Sequence, residues 1–149
     1  LITAQDSSVI GFASFRFVTQ ETLSIAYLFE LHLEENLRRQ GLGTRLVDAV
    51  RTFGRNAKKR GVLLTVHHTN VTARSFYLAR GLNVAPISPS MCAPPNVASL
   101  VDYDVMQDLW DDEAVSVMEA RGELARRVLH ERAEVVEGGG AAAAVSAAE

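Results

Sequence analysis

The sequence predicts an α/β protein built on a mixed sheet, and three stretches carry that reading. Leu23 to Leu33 alternates at the two-residue period of a strand. From Leu42 the apolar spacing becomes helical, and Val62-Leu63-Leu64-Thr65-Val66 then returns to a short buried strand. Strand, helix and strand in that order form a βαβ crossover, which makes the two strands parallel and the connection right-handed.

Taken in order, Val9 to Val18 is rich in β-branched and aromatic residues and is expected as a strand, with Thr19-Gln20-Glu21-Thr22 as a polar turn. The short spacing to the next strand makes the two antiparallel. Alternation in that second strand puts Leu23, Ile25, Tyr27, Phe29, Leu31 and Leu33 on one face. Ser24, Ala26, Leu28, Glu30 and His32 fall on the other. Leu42, Leu46, Val50, Phe53 and Ala57 form the apolar stripe of the helix, which Gly61 ends. Asn70 is placed to cap a second helix carrying Ala73, Phe76 and Tyr77, and Gly81 to end it. Ala85 to Ser99 holds all four prolines and is expected as a loop, with Val101 to Met106 as a last strand. Leu109 to Val136 has helical composition, its acids early and its arginines late, as a helix dipole prefers. Gly138 to Glu149 is low-complexity and is expected to be disordered.

The 149 residues suit one domain with an ordinary core. The composition, 48% hydrophobic and 22% charged, is that of a soluble globular protein. No apolar run approaches the ~20 residues of a membrane span, so no membrane partner is expected. The chain starts at Leu1 without a signal-peptide pattern, and its true N-terminus is expected to be missing. Cys92 stands alone, which excludes an internal disulfide and fits a reducing compartment. A net charge of −3 does not favour direct nucleic-acid binding. Eight of the 15 Lys and Arg residues lie between Arg38 and Arg60, whereas Leu100 to Glu119 holds seven acids and no base. Two readings of this stay open: two solvated faces, or a basic end for a phosphorylated ligand and an acidic end for a cationic one.

Arg38-Arg39-Gln40-Gly41-Leu42-Gly43-Thr44 stands between strand and helix. Glycines let the backbone approach a ligand, and the helix N-terminus offers unpaired N–H groups and the positive end of its dipole. Two arginines add charge, making a pyrophosphate site. The alternative for Gly41 and Gly43 is a plain tight turn. His67-His68 is not read as a metal site, because neighbours on a strand point to opposite faces and no further ligands complete a set.

Arg38-x-x-Gly41-x-Gly43 at this junction resembles the acetyl-CoA signature of the GNAT acetyltransferases. Ser75-Phe76-Tyr77-Leu78-Ala79-Arg80-Gly81-Leu82 resembles the family's following helix. Tyr27 to Glu34, Leu64-Thr65-Val66, Asn70, Ser88-Pro89-Ser90-Met91 and Tyr103-Asp104-Val105-Met106 are similar to the N-alpha-acetyltransferase NatD family within it. The resemblance covers roughly Ile10 to Met106. It implies a GNAT acyl-CoA N-acyltransferase fold over residues 1–107, N-terminally truncated; composition adds a helical extension over 108–137 and a tail over 138–149. The resemblance also implies acetyl-CoA as co-substrate and no metal. The implied acceptor is the N-terminal serine of core histones beginning Ser-Gly-Arg-Gly, a basic peptide. A monomer in cytoplasm and nucleus is expected. Two departures stand out: Phe29 replaces a tyrosine usual in the family, and the family's N-terminal helical segment is expected to be missing.

By that resemblance, Leu31, His32 and Leu33 pair with the pantetheine arm like an added strand, and Arg38, Arg39, Gln40, Gly41, Leu42, Gly43 and Thr44 hold the pyrophosphate. Asn70 binds the cofactor further along, while Tyr27, Phe29, Thr65, Ser88 and Tyr103 line the peptide site; the alternative for Tyr27, Thr65, Ser88 and Tyr103 is a core aromatic or a loop hydroxyl. The implied reaction is direct attack in a ternary complex. About 10–15% of an α-amine is neutral at pH 7, against about 0.04% of lysine, so a modest base is sufficient. Glu30 is read either as that base or as an electrostatic anchor for the substrate. Tyr77 is read either as the acid that protonates the leaving thiolate or as core packing. Cys92 is a poor nucleophile candidate. Two other readings stay open: a GNAT enzyme acting on lysine or a small amine, and an acyl-CoA-binding module without turnover.

Overall fold

The computed structural model describes residues 1–20 and 22–146, with side chains as far as residue 135, those of 20 and 21 excepted. Its elements are β1 (Ile2–Thr3), β2 (Val9–Gln20), β3 (Leu23–Leu33), a 3₁₀ turn (Glu35–Leu37), α1 (Leu42–Asn56), β4 (Gly61–His67) and α2 (Val71–Ala79). There follow β5 (Asn83–Val84), α3 (Pro89–Cys92), α4 (Pro95–Ala98), β6 (Tyr103–Leu109) and α5 (Asp112–Ser146). The strands form one sheet in the order β1-β2-β3-β4-β6-β5. Among the described residues only β3 and β4 pair in parallel, as the crossover through α1 requires. The proline-rich stretch is not a plain loop, since prolines open both of its short helices at N1.

β4 is a central strand buried on both sides, which explains its unbroken apolar run. Val62, Leu64 and Val66 join Ala26, Leu28, Val47, Val50, Tyr77 and Met106 in a core under α1 and α2. Leu63 faces the other way and packs with Leu23, Ile25, Ala114 and Met118 of α5. The stripe of α1 is turned from the expected one. Leu46, Val47, Val50 and Gly54 are buried, while Phe53 is 58% exposed. Gly54 lies under Trp110, whose ring tip would stand 2.7 Å from a Cβ there.

The expected alternation of β3 also fails in its second half. Ser14 pairs with Glu30 but Phe15 with Leu28, so Phe29 is an extra residue, a β-bulge. One inserted residue reverses the parity of all that follows. Tyr27 packs on the α5 side and Leu28 on the α1 side, yet Leu31 returns to the α1 side. Glu30 and His32, alternating with Leu31, therefore share the face of Tyr27.

α5 is anchored at its start by Asp111, whose carboxylate accepts the Ala114 N–H at 2.8 Å and pairs with Arg60. Arg60 also binds Glu113 at 2.8 Å. Gly122 lets the helix lie directly on Pro86: a Cβ would stand 2.4 Å from the proline ring and 2.8 Å from its backbone. Gly122→Ala is therefore expected to destabilise the fold by about 1–3 kcal/mol through overpacking, measurable by denaturant unfolding. The helix continues to Ser146 through the glycine and alanine run expected as a tail, and 147–149 lie outside the described residues. Among the described residues no helix is long and apolar enough to cross a membrane.

Candidate active site

β3 and β4 are paired only over Ala26↔Val62, Tyr27↔Leu63 and Leu28↔Leu64. Beyond Leu28 and Leu64 they diverge, which leaves the β4-facing edge of residues 29–33 unpaired in the sheet. Between this edge, the N-terminus of α1 and the side of α2 lies a cleft of about 550 Å3. Leu31, His32, Leu33, Arg38, Arg39, Gly41, Gly43, Thr44, Asn70 and Tyr77 all line it. Two expected members do not: Gln40 turns back to donate to the Asn36 carbonyl at 3.2 Å, and Leu42 is not among the lining residues.

The loop into α1 has Arg39 at φ 61° and Gly41 at φ 80°, left-handed conformations that turn the chain sharply. Among the described residues no side chain caps α1, which leaves its first-turn N–H groups available to an anion at the cleft mouth. Gly43 has a packing role besides: a Cβ there would come within 3.3 Å of Phe76 and 3.5 Å of Leu33. Arg38 is partly committed, with Nε donating to the Leu33 carbonyl at 3.4 Å. Asn70 caps α2, its Oδ1 accepting the Ala73 N–H at 3.1 Å. Thr72, Ala73, Phe76 and Ala79 of α2 and Arg80 just after it also line the cleft, and none of the five is expected from sequence as a ligand-binding residue. The signal is the spacing 73, 76, 77 and 80, which marks one helix face. Arg80 adds a further cation and donates to Thr44 Oγ1 at 3.3 Å.

Tyr77 is buried in the core and reaches the cleft. Burial pushes its phenol pKa up, so it keeps its proton at neutral pH. Cys92 is buried too, and that burial raises its thiol pKa against the opposing pull of Arg126, unlike an activated nucleophile.

The face of β3 and β4 beyond the cover of α5 carries the expected peptide-side residues. Tyr27 Oη and Thr65 Oγ1 are hydrogen-bonded at 2.5 Å. Tyr27 packs at 5.0 Å on Phe29, which is 55% exposed and has Arg16 above its ring at 5.7 Å. Tyr103 is paired in register with His67 and alternates with Val105, which puts it on the same face. The bulge adds Glu30 to this group.

Ser88 does not fit its expected role on an open peptide surface, because it is 0% exposed. Its Oγ donates to Asp104 at 3.1 Å and accepts the Val105 N–H at 3.1 Å, replacing a strand partner where β5 has ended. The acidic region is likewise largely used internally. Asp104 pairs with Arg74, Asp108 with Arg51, and Asp111 with Arg60. Burial alone would raise the Asp104 pKa, but hydrogen bonds from Ser90, Arg74, Ser88 and His68 outweigh it and hold the carboxyl below the usual carboxylate range. Its contribution to stability is thus present above the unfolded value of about 3.9 and lost as pH falls through the folded value. Asp104→Asn is expected to flatten this acid limb, measurable by denaturant melts across pH 2–6. Among the described residues no three His, Cys, Asp or Glu side chains are grouped to hold a metal.

An opened mixed sheet with an uncapped, arginine-flanked helix N-terminus at the opening has the shape and charge that suit an anionic, extended ligand along a strand edge. The sequence matches the acetyltransferase (GNAT) family over residues 1–82, and the chain belongs to that family. It is 33% identical over 109 residues to N-alpha-acetyltransferase 40 of Saccharomyces cerevisiae, a match covering 60% of this chain and 38% of that protein. The chain thus spans less than two fifths of that relative's length. Its fold is similar to Naa20 of Chaetomium thermophilum in complex with a bisubstrate analogue (19% identity, TM-score 0.60, covering 79% of this chain and 67% of the other). It is also similar to the PaiA N-acetyltransferase of Thermoplasma acidophilum in complex with coenzyme A (20% identity, TM-score 0.56, covering 72% and 57%).

Proposed function

We propose that this chain is the catalytic core of an N-alpha-acetyltransferase that uses acetyl-CoA. The observation that carries the reading is the divergence of β3 from β4. It frees a strand edge beside the α1 N-terminus, and the bulge at Phe29 turns Glu30 toward the Tyr27 face. In this reading the edge at Leu31 to Leu33 pairs with the pantetheine amides. The N–H groups of α1, with Arg39 and Arg80, hold the pyrophosphate.

The peptide amine, once neutral, attacks the thioester carbonyl, and the C–S bond breaks as the amide C–N bond forms. Glu30, directly or through water, takes the proton from the amine, and Tyr77 gives its phenol proton to the departing thiolate. Tyr27, Phe29, Thr65 and Tyr103 form the surface on which the peptide N-terminus lies.

The NatD-like segments and the similarity to N-alpha-acetyltransferase 40 support one finer assignment. The acceptor is the N-terminal serine of core histones beginning Ser-Gly-Arg-Gly. The protein works as a monomer in cytoplasm and nucleus. The test is CoA release from acetyl-CoA with a free-N-terminus Ser-Gly-Arg-Gly-Lys peptide, the acetylated position being read by mass spectrometry. Acetyl on the serine α-amine is the expected result. Acetyl on the lysine, or equal transfer to the N-blocked peptide, would overturn the histone N-terminal assignment. Tight acetyl-CoA binding with no transfer to any amine would favour a binding module.

A further inference from the structure

We propose that Asp104 is a positioning residue that couples the acetyl-CoA cleft to the peptide side, a role that rests on the acetyltransferase reading. Asp104 lies on β6 next to Tyr103 and is almost wholly buried. Its Oδ2 accepts from Arg74 Nε of α2 at 3.2 Å. Its Oδ1 accepts from Ser88 Oγ at 3.1 Å and from Ser90 Oγ at 2.5 Å, and His68 Nε2 stands 3.5 Å from the same oxygen. One carboxylate thus gathers groups from α2, from the start of α3 and from the segment after β4.

The proton accounting is tight. Each serine hydroxyl has one proton, and each gives it to Asp104, so the 3.2 Å contact between the two hydroxyls holds no proton of its own. Ser90 is therefore held by the carboxylate, and Ser88 by the carboxylate and the Val105 N–H, rather than by each other. Arg74 stands beside Ala73, which lines the cleft. A ligand held against α2 fixes Arg74, hence Asp104, hence the α3 turn and the adjoining Tyr103 on the peptide face. A buried, charge-assisted junction of this kind passes small displacements between layers more faithfully than an exposed contact.

The variant that tests this without unfolding the chain is Ser90→Ala, since Ser90 is exposed. Acetyl-CoA affinity is read by calorimetry, and peptide KM and kcat by CoA release with Ser-Gly-Arg-Gly-Lys. The expected result is a rise in peptide KM of about fivefold, the scale of one hydrogen bond. The acetyl-CoA Kd and kcat stay within about twofold, and Ser90→Thr restores the KM. Arg74→Met is expected to raise KM similarly, and the double variant to add little, because both act through one carboxylate. An unchanged KM for Ser90→Ala in a chain whose wild type transfers acetyl would overturn the proposal. So would fully additive effects, or a parallel loss of acetyl-CoA affinity. A wild-type chain that transfers nothing would defeat the acetyltransferase reading first, and the coupling role with it.

Discussion

Glu30→Gln is expected to lower kcat about a hundredfold while leaving acetyl-CoA affinity within about twofold. The magnitude is that of losing a positioned proton acceptor. The selectivity follows from the fold. Strict alternation from Leu23 would aim Glu30 away from Tyr27 and into the layer of α1, where it would be a buried charge. The extra residue at Phe29 reverses that parity, so Glu30 emerges exposed on the face of Tyr27, Thr65 and Tyr103. The backbone beyond it, at Leu31 to Leu33, lines the cleft and is untouched by a Glu-to-Gln change. Glutamine keeps the shape and loses the basic oxygen. Steady-state kinetics with a Ser-Gly-Arg-Gly-Lys peptide and calorimetry with acetyl-CoA separate the two open roles. A fall in kcat identifies the base. A rise in peptide KM at constant kcat identifies an electrostatic anchor. Unchanged kinetics would remove Glu30 from the mechanism.

That bulge marks the limit of what the sequence could tell. Leu23 to Leu33 reads as one unbroken alternation, and β3 does span those residues. A bulge leaves the composition unchanged, so the faces of its second half could be learned only from pairing with β2. The elements with local causes were legible. β4 announced itself by its apolar run, α2 by Asn70, and the turn into α1 by Gly41 and the helical spacing after it. What depends on distant partners was not. Gly54 is buried because Trp110 comes from the far end of the domain. Ser88 is expected on the peptide site because nothing local reveals that Asp104 and the Val105 N–H claim it. Arg80 was passed over because its place on the cleft depends on α2 lying beside Thr44. The acids after Leu100 leave two readings open in sequence, a solvated face or a patch for a cationic ligand, yet Asp108, Asp111 and Asp104 have arginine partners at positions 51, 60 and 74.

Gly41→Ala is expected to weaken acetyl-CoA binding at least tenfold, with Gly81→Ala as the control that gives the result its meaning. Both glycines are left-handed, at φ 80° and φ 85°, and a Cβ at either meets nothing within 4 Å. The two substitutions therefore carry the same intrinsic strain, about 1–2 kcal/mol, without a clash. They differ in place. Gly41 lines the cleft at the entry to α1, whereas Gly81 follows α2 and does not line it. Strain at Gly41 is relieved by shifting the loop, which turns the N–H groups of Leu42, Gly43 and Thr44 away from a pyrophosphate fixed by the rest of the site. A loss of 1.4 kcal/mol there is already tenfold in Kd. Thermal melts should show similar destabilisation for both variants, while calorimetry with acetyl-CoA should separate them. If both lose affinity equally, the effect is general loosening of the fold, and the α1 N-terminus is not the phosphate site. If neither does, the cofactor bypasses the loop and is held by the strand edge at Leu31 to Leu33 alone.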